Sequence, residues 1–388
     1  METGFGILSR LGELVISCGG SRVFVVMDAF LARAPLNLHE KIEGIFKEAG
    51  MEFSLFSGYT GEPTTAHVNA ALEVLKESQS DCVVAIGGGS AIDISKAVSL
   101  FAVNPKMKWA DIAKQPRLKR FPLLAVPTTA GTGSEATQIM VITNTETNIK
   151  MNPGHPNLIP DLALLDPEMA LSLPRNFTAF TGLDALAHAM EAYVSTRATV
   201  MTDLFAVESM RIIGTALPLA VEDGLNKDAR RGMLLASCYA GIAFSNASTN
   251  LAHAAGRAMG AKYHIPHGLS IALLLPFVML FGLDAAEERY ANVAIALGAN
   301  PGVGQRELAG AAVRIVEGYN DQFGIWNAAK NYIKDIQDFI KIIPAMVDDA
   351  MSGLKTNPTG NNGIVTNRKV PTPQNVAKVF ELLAEKLS

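Results

Sequence analysis

The amino-acid sequence predicts an α/β domain built on a parallel sheet over residues 1–167, followed by an all-α domain over 168–388. Three observations lead there. A chain of 388 residues is long enough for two domains. Its first 165 or so residues alternate short continuous apolar runs with helical periodicity, and glycine-rich loops punctuate them. From about Leu171, past Pro174 and Asn176, the pattern changes to long helical stretches with few strand signals.

The elements follow in order. Val23–Met27 (VFVVM) reads as a buried strand ending at Asp28, and residues 37–49 read as an amphipathic helix. Glu52–Phe56 is a strand, and Thr65–Glu77 a helix with Val68, Ala71, Leu72 and Leu75 on one face. Cys82–Ile86 (CVVAI) is a strand, followed by a Gly loop and a helix from about Ala91. Leu123–Val126 is a further strand, followed by 127-PTTAGTGSEAT-137. Runs that are apolar throughout, instead of alternating, belong to strands covered on both faces, as in an open parallel sheet. In the second half, 269-LSIALLLPFVMLFGL-283 is interrupted by Pro276, is shorter than a bilayer span, and reads as a buried helix. The stretch 352-SGLKTNPTGNNGIVTNRKVPTPQN-375 reads as a loop before a last helix.

Composition narrows the function. Hydrophobic residues make up 49% and charged residues 18%, with a net charge of −4, so the chain is globular and no nucleic-acid partner is expected. The densest basic run, 115-QPRLKRFP-122, is short. The three cysteines, Cys18, Cys82 and Cys238, are widely spaced and form neither a disulfide framework nor a CxxC site. A reducing cytoplasm is the expected location. No basic-then-apolar leader and no membrane association are expected.

Two clusters carry chemistry. The loop 86-IGGGSAID-93 follows a strand and opens a helix. Its glycines let backbone approach a phosphate at a helix N-terminus, although Ile92 breaks the G-x-G-x-x-G fingerprint. The loop 127-PTTAGTGSE-135 adds hydroxyls at another strand end, and two such loops favour a Rossmann-like dinucleotide site. Asp28 closes an early strand, where an acid can bind a ribose 2′-OH and repel a 2′-phosphate; the alternative is a plain helix cap. The second cluster is Asp184, His188, His253 and His267. Asp184 and His188 are four apart on a predicted helix and so share a face. One carboxylate and three imidazoles suit a divalent cation of borderline softness, Fe²⁺ or Zn²⁺. Ordinary core or surface histidines are the competing reading, but four of the seven histidines fall within 188–267.

Taken together, GGGSAIDISKA, PTTAGTGSEAT, IPDLALLDPEMALSLP, TGLDALAHAMEAYVS and IPHG at 265–268 resemble the iron-containing (group III) alcohol dehydrogenases over nearly the whole chain. The resemblance implies a dinucleotide domain plus a helical metal domain, with NAD(H) and Fe²⁺ (Zn²⁺ as the second choice) as cofactors. It implies Asp184, His188, His253 and His267 as metal ligands. It places Asp28, Gly87, Gly88, Gly89, Ser90, Asp93, Thr128, Thr129, Thr132, Ser134 and Lys150 at NAD. It further implies an NAD-dependent aldehyde reductase or alcohol dehydrogenase acting on a short small-molecule substrate, as a homo-oligomer.

Two departures stand out. The family usually carries another histidine four residues after its third ligand, and here that position is Arg257. Arg257, and His264 as a substitute relay, are therefore the expected catalytic residues. Arg257 suggests an aldehyde with an anionic tail, such as sulfoacetaldehyde, phosphonoacetaldehyde or a semialdehyde. A neutral alcohol or diol of the lactaldehyde or 1,3-propanediol type is the alternative. The chain also enters almost directly at Phe5–Gly6, where relatives often have a leading strand, which puts an edge-strand dimer contact in question. A dehydroquinate-synthase-like lyase would need a Lys/Arg cluster beside the metal, and only Arg257 and Lys262 are in sight. A metal hydrolase would leave both loops unexplained, and no HExxH is present.

Overall fold

The computed structural model describes residues 1–33, 36–147, 149–355 and 365–388. They divide into two compact units whose sequence boundary is Leu173–Pro174.

The first unit is a six-stranded parallel sheet in the order β1-β8-β5-β4-β2-β3. Its strands are β1 (Glu2–Thr3), β2 (Arg22–Met27), β3 (Glu52–Phe56), β4 (Cys82–Gly87), β5 (Leu123–Pro127) and β8 (Leu162–Leu165). A two-residue antiparallel pair, β6 (Ile142–Thr143) with β7 (Lys150–Met151), stands apart from the sheet. The helices are α1 (Leu11–Ser17), α2 (Ala29–Ala32), α3 (Leu38–Glu48), α4 (Thr65–Ser78) and α5 (Gly89–Phe101).

Strand β2 shows why the runs are apolar throughout. Phe24 and Val26 enter one core, with residues of α4 and α5, while Val23, Val25 and Met27 enter the other, with residues of α1 and α3. Successive side chains of a strand point to opposite faces, so a doubly covered strand needs apolar residues at every position. The sequence order of the strands runs outward from β2 to β3 and then back across to β4. The switch point therefore lies between the carboxyl ends of β2 and β4, where such sheets bind ligands.

The N-terminus departs from expectation. Glu2 and Thr3 pair with Leu164 and Leu165 and form a short edge strand. Two residues are too few to leave a periodic signal.

The second unit is helical: α6 (Arg175–Val194), α7 (Val200–Glu222), α8 (Lys227–Ala247), α9 (Leu251–Tyr263), α10 (His267–Gly282), α11 (Glu287–Ala296), α12 (Gln305–Phe323), α13 (Ile325–Ala329), α14 (Ile336–Lys355) and α15 (Pro373–Leu387). Helix α10 is long and apolar enough to cross a membrane, yet Leu269 to Met279 are all buried inside the unit. Pro276 cannot donate to the carbonyl of Ala272, and the buried Asn320 side chain donates to that oxygen instead at 2.8 Å. Helix α14 runs on to Lys355, so residues 352–355, read above as loop, are helical. Residues 356–364 of that stretch lie outside the described residues.

Candidate metal centre and nucleotide loops

Three helices bring the candidate ligands together. Asp184 and His188 stand one turn apart on α6, His253 is in the first turn of α9, and His267 is the first residue of α10. Asp184 Oδ1 lies 3.4 Å from His253 Nε2 and 3.8 Å from His267 Nε2. His188 Nδ1 lies 4.0 Å from Asp184 Oδ2. Ligand atoms of Asp184, His188 and His253 all fall within 4.8 Å of one another. The first three side chains are buried, whereas His267 is about one-third open, at 32%. The imidazole of His188 stacks on Phe244 of α8 with centroids 4.2 Å apart and on His253 at 4.3 Å.

The electrostatics call for a cation. Among the described residues, Asp184 Oδ1 and His253 Nε2 are buried without a hydrogen-bond partner. An acceptor and an imidazole nitrogen left facing each other would cost free energy unless a positive centre lies between them. Burial opposes the charge of Asp184, yet the three surrounding imidazoles hold its carboxyl well below the usual range. Burial likewise opposes the imidazolium of His253, yet Glu191 and Asp184 push its pKa up to about 9, so without a metal a proton takes the cation's place there. The residues present therefore fit a divalent metal with N and O ligands.

Glu191 was missed from sequence. It follows His188 by three and Asp184 by seven, which is the same helical face, so the signal was there. Its buried carboxylate accepts from His253 Nδ1 at 2.6 Å and from the backbone N–H groups of Ala252 at 2.6 Å and Asn250 at 2.9 Å. Asn250 Nδ2 donates to the Glu191 carbonyl at 2.8 Å. This junction of α8 and α9 contains Ser248 at φ 72°, a conformation a non-glycine residue holds only when its surroundings impose it.

Among the described residues, the other two expected residues share no hydrogen bond or ion pair with the ligand cluster. His264 is exposed at the C-cap of α9, at φ 52°. Arg257 is partly buried one turn beyond His253. Its guanidinium lies beside Gly353 of α14, where an added methyl would sit 3.7 Å from Nη2. Burial lowers the Arg257 pKa, with Glu191 opposing the shift. Among the described residues it forms no ion pair.

In the first unit, the glycine loop sits at the switch point. A methyl on Gly87 would lie 2.6 Å from Asp28 Oδ2, and one on Gly89 would lie 2.8 Å from Thr132 Cγ2. Only glycine permits this approach. The Gly88 N–H donates to Asp28 Oδ2 at 3.2 Å. Asp28 occupies the N-cap position of α2 but makes no cap bond, so its carboxylate serves the loop. Helix α5 starts at Gly89, two residues earlier than expected, and its N-cap Gly88 supplies no side-chain acceptor. The first N–H groups of α5 are thus available to an anion. Ser90 Oγ donates to the Gly61 carbonyl at 3.1 Å, Thr128 is buried, and Gly88 packs beside Thr129.

Asp93, Ser134 and Lys150 are placed differently. Asp93 accepts from Ser134 Oγ at 2.6 Å and from the Val141 N–H at 2.8 Å, so both side chains brace the two loops against each other. Lys150 pairs with Glu62 at 2.7 Å. The fully buried Lys96, also missed from sequence, donates to Thr137 Oγ1 at 2.9 Å and to the Ile139 carbonyl at 2.6 Å, with Asp93 3.8 Å away. Burial outweighs the mutual attraction of this pair: it raises the Asp93 pKa and lowers that of Lys96 to about 8.

Known proteins share this chain's sequence pattern and fold. Residues 1–167 match the iron-containing alcohol dehydrogenase family, and residues 178–372 match the C-terminal domain of the Fe-containing alcohol dehydrogenase family. A probable alcohol dehydrogenase of Salmonella typhimurium is 42% identical over 295 residues, 76% of this chain and 74% of that protein. An NAD-dependent methanol dehydrogenase of Bacillus methanolicus is 36% identical over 327 residues, 83% of this chain and 84% of that protein. A crystal structure of 1,3-propanediol oxidoreductase superposes with a TM-score of 0.89 at 31% identity, covering 98% of this chain and 97% of that one. With both halves matched and relatives of this identity, the chain belongs to the iron-containing alcohol dehydrogenase family of oxidoreductases.

Proposed function

We propose that this protein interconverts short-chain aldehydes and their primary alcohols, exchanging a hydride with NAD(H), with iron held by Asp184, His188, His253 and His267. The observation that carries the reading is the orphaned pair, Asp184 Oδ1 and His253 Nε2, 3.4 Å apart in a buried cluster of imidazoles. When bound, the cation supplies Lewis acidity to the substrate oxygen and NAD(H) supplies or takes the hydride.

The chain's own residues hold these parts in place. Asp184, His188 and His253 form the buried side of the ligand set, and the more open His267 completes it. The stack of Phe244 on His188 fixes one imidazole plane, and Glu191 fixes another. In the nucleotide loops, Gly87–Gly89 let backbone approach the pyrophosphate. The Asp28 carboxylate favours a ribose hydroxyl over a 2′-phosphate. Family membership supports this reading over the lyase alternative. The test is NADH oxidation with a series of short aldehydes by iron-loaded protein under anaerobic conditions. Turnover that vanishes with a chelator and returns with Fe²⁺ is expected; chelator-insensitive turnover would refute the metal role.

A second reading concerns the substrate. Arg257 is a partly buried guanidinium with no ion-pair partner among the described residues, and it follows His253 by one helical turn. Such a group binds carboxylate, sulfonate or phosphonate oxygens in bidentate fashion. This favours an aldehyde with an anionic tail over a neutral one.

A further inference from the structure

We propose that Glu191 is a positioning residue: it holds His253 in the tautomer whose Nε2 lone pair faces Asp184 and so sets the affinity of the site for its metal. The inference rests on the metal reading above. Glu191 itself does not reach the ligand pocket's centre. It acts from behind His253, on the ring nitrogen that points away from Asp184.

The argument is a count of donors. Three N–H groups converge on the Glu191 carboxylate: Ala252 N on Oε1, and Asn250 N with His253 Nδ1 on Oε2. The two backbone groups can only donate, so the carboxylate must accept from both. An ionised carboxylate has acceptor sites for all three and no proton of its own to offer. In the neutral ring that a metal ligand requires, the short contact to His253 therefore places the one remaining proton on Nδ1 and leaves Nε2 with a lone pair. That lone pair points at Asp184 Oδ1 across 3.4 Å, where neither atom has a hydrogen bond. A metal ligand of this kind commonly leans on an outer carboxylate that fixes ring orientation and tautomer.

The same carboxylate ties the ring to the backbone. By accepting from Asn250 and Ala252 it occupies the start of α9, where N–H groups have no intrahelical partner. Asn250 returns a bond to the Glu191 carbonyl, and Thr366 Oγ1 donates to Asn250 Oδ1 at 2.5 Å. His253 is thus registered against α6, the helix that carries Asp184 and His188.

A glutamine at 191 is nearly isosteric but cannot do this. Its amide has one acceptor end and one donor end. If the donor end faces His253, the ring must accept at Nδ1 and carry its proton on Nε2, aimed at the metal position. If it faces Ala252, two N–H groups oppose each other in a buried place.

The experiment compares wild type, E191Q and E191A as full-length proteins. Affinity for Co²⁺ is measured by chelator competition, Tm is measured with and without Co²⁺, and the His253 ring ¹⁵N shifts of the metal-free proteins are followed by NMR up to a pH at which the ring is neutral and its tautomer can be read. The expected result is a roughly 10- to 100-fold weaker Co²⁺ affinity in both variants. A smaller Co²⁺-induced rise in Tm and a changed tautomer signature in E191Q should accompany it. A residue that only caps α9 would lower the Tm of the metal-free protein and leave the affinity alone. Wild-type affinity within twofold in E191Q therefore overturns the proposal, whatever the metal-free Tm does. Wild-type protein that fails to bind Co²⁺ overturns the proposal and the metal reading together, which separates the two failures.

Discussion

Replacing Gly268 by alanine should disable the metal centre without touching a ligand. Gly268 follows His267 at the start of α10, and there the helix rests on the backbone of α6. A methyl added at Gly268 would meet the Phe180 carbonyl oxygen at 2.4 Å, its carbon at 2.8 Å and the Thr181 nitrogen at 3.3 Å. All three are main-chain atoms inside a helix, so none can rotate away. Cβ atoms do not approach closer than 3.0 Å, and the first turn of α10 must retreat from α6 by at least the 0.6 Å difference. Phe180 lies one turn before Asp184, so the retreat carries His267 away from the carboxylate that now stands 3.8 Å from its Nε2. Metal–ligand distances tolerate only about 0.2 Å. Overpacking of this kind costs about 1–3 kcal/mol, which for a unit of this size is on the order of 2–4 °C in Tm per kcal/mol.

The assay is Tm of the metal-free protein together with iron content after loading and desalting. Gly260→Ala in α9 is the control. A methyl there meets nothing closer than 3.4 Å, so the expected change is neutral or stabilising by up to about 1 kcal/mol. Gly268→Ala should lower both Tm and iron content, and Gly260→Ala neither. A Gly268→Ala protein with wild-type Tm and a full complement of iron would refute the reasoning.

Three further predictions concern the cofactor loops and the substrate. Asp28→Gly removes a carboxylate that accepts from Gly88 and, on the proposed reading, repels a 2′-phosphate; the NADH-over-NADPH preference should narrow about tenfold, worth about 1.4 kcal/mol, and a wild type that already uses NADPH equally well would contradict the premise. Lys96→Met strands Asp93 in the core and should cost about 3–5 kcal/mol by denaturant unfolding. Because burial lowers the Lys96 pKa to about 8 from an unfolded value near 10.5, the unfolded chain binds the extra proton between these values. The contribution of Lys96 to stability therefore rises with pH across that window, and the variant should lose this slope; an unchanged slope would show that Lys96 stays charged in the fold. Arg257→Ala should lower kcat/KM on sulfoacetaldehyde by about 30-fold, or about 2 kcal/mol, and leave propanal untouched; equal losses on both would remove Arg257 from substrate recognition.

The parallel sheet was legible because every position of its inner strands must be apolar, as β2 shows with Phe24 and Val26 on one face and Val23, Val25 and Met27 on the other. The metal candidates were legible because Asp184 and His188 share a helix face and histidines are scarce. What escaped has physical reasons. Glu191 shares that face too, but a lone glutamate on a helix reads as solvated until the fold buries it. Lys96 lies among small and apolar residues, and nothing local announces that its amine will find Thr137 and Ile139 from a distant loop. Gly353 reads as a helix breaker, yet it stands inside α14. The bare backbone there leaves space for Arg257, with Nη2 3.7 Å from where a methyl would be. Asp93 lies in α5, just past the glycines at the switch point, and Ser134 lies in the loop after β5. Their side chains turn to each other because a buried carboxylate requires donors, and Ser134 and Val141 provide them.

One pattern joins the ligands to the packing. Each of the three helices that carry them has a glycine close to its ligand: Gly182 two before Asp184, Gly256 three after His253, and Gly268 one after His267. At each, an added methyl would come within 2.3–2.5 Å of a neighbouring helix: Leu217 of α7, Ile271 of α10 and Phe180 of α6. Glycine inside a helix costs about 1 kcal/mol relative to alanine, so propensity alone does not explain three of them. Close approach does. The contacts of Gly256 and Gly268 lie between helices that carry candidate ligands, and the alanines of α6 at 185, 187, 189 and 192, all fully buried, keep that helix slim in the same way. In this unit the helices are built for proximity, and the burial that proximity brings is what leaves Asp184 and His253 in need of a cation.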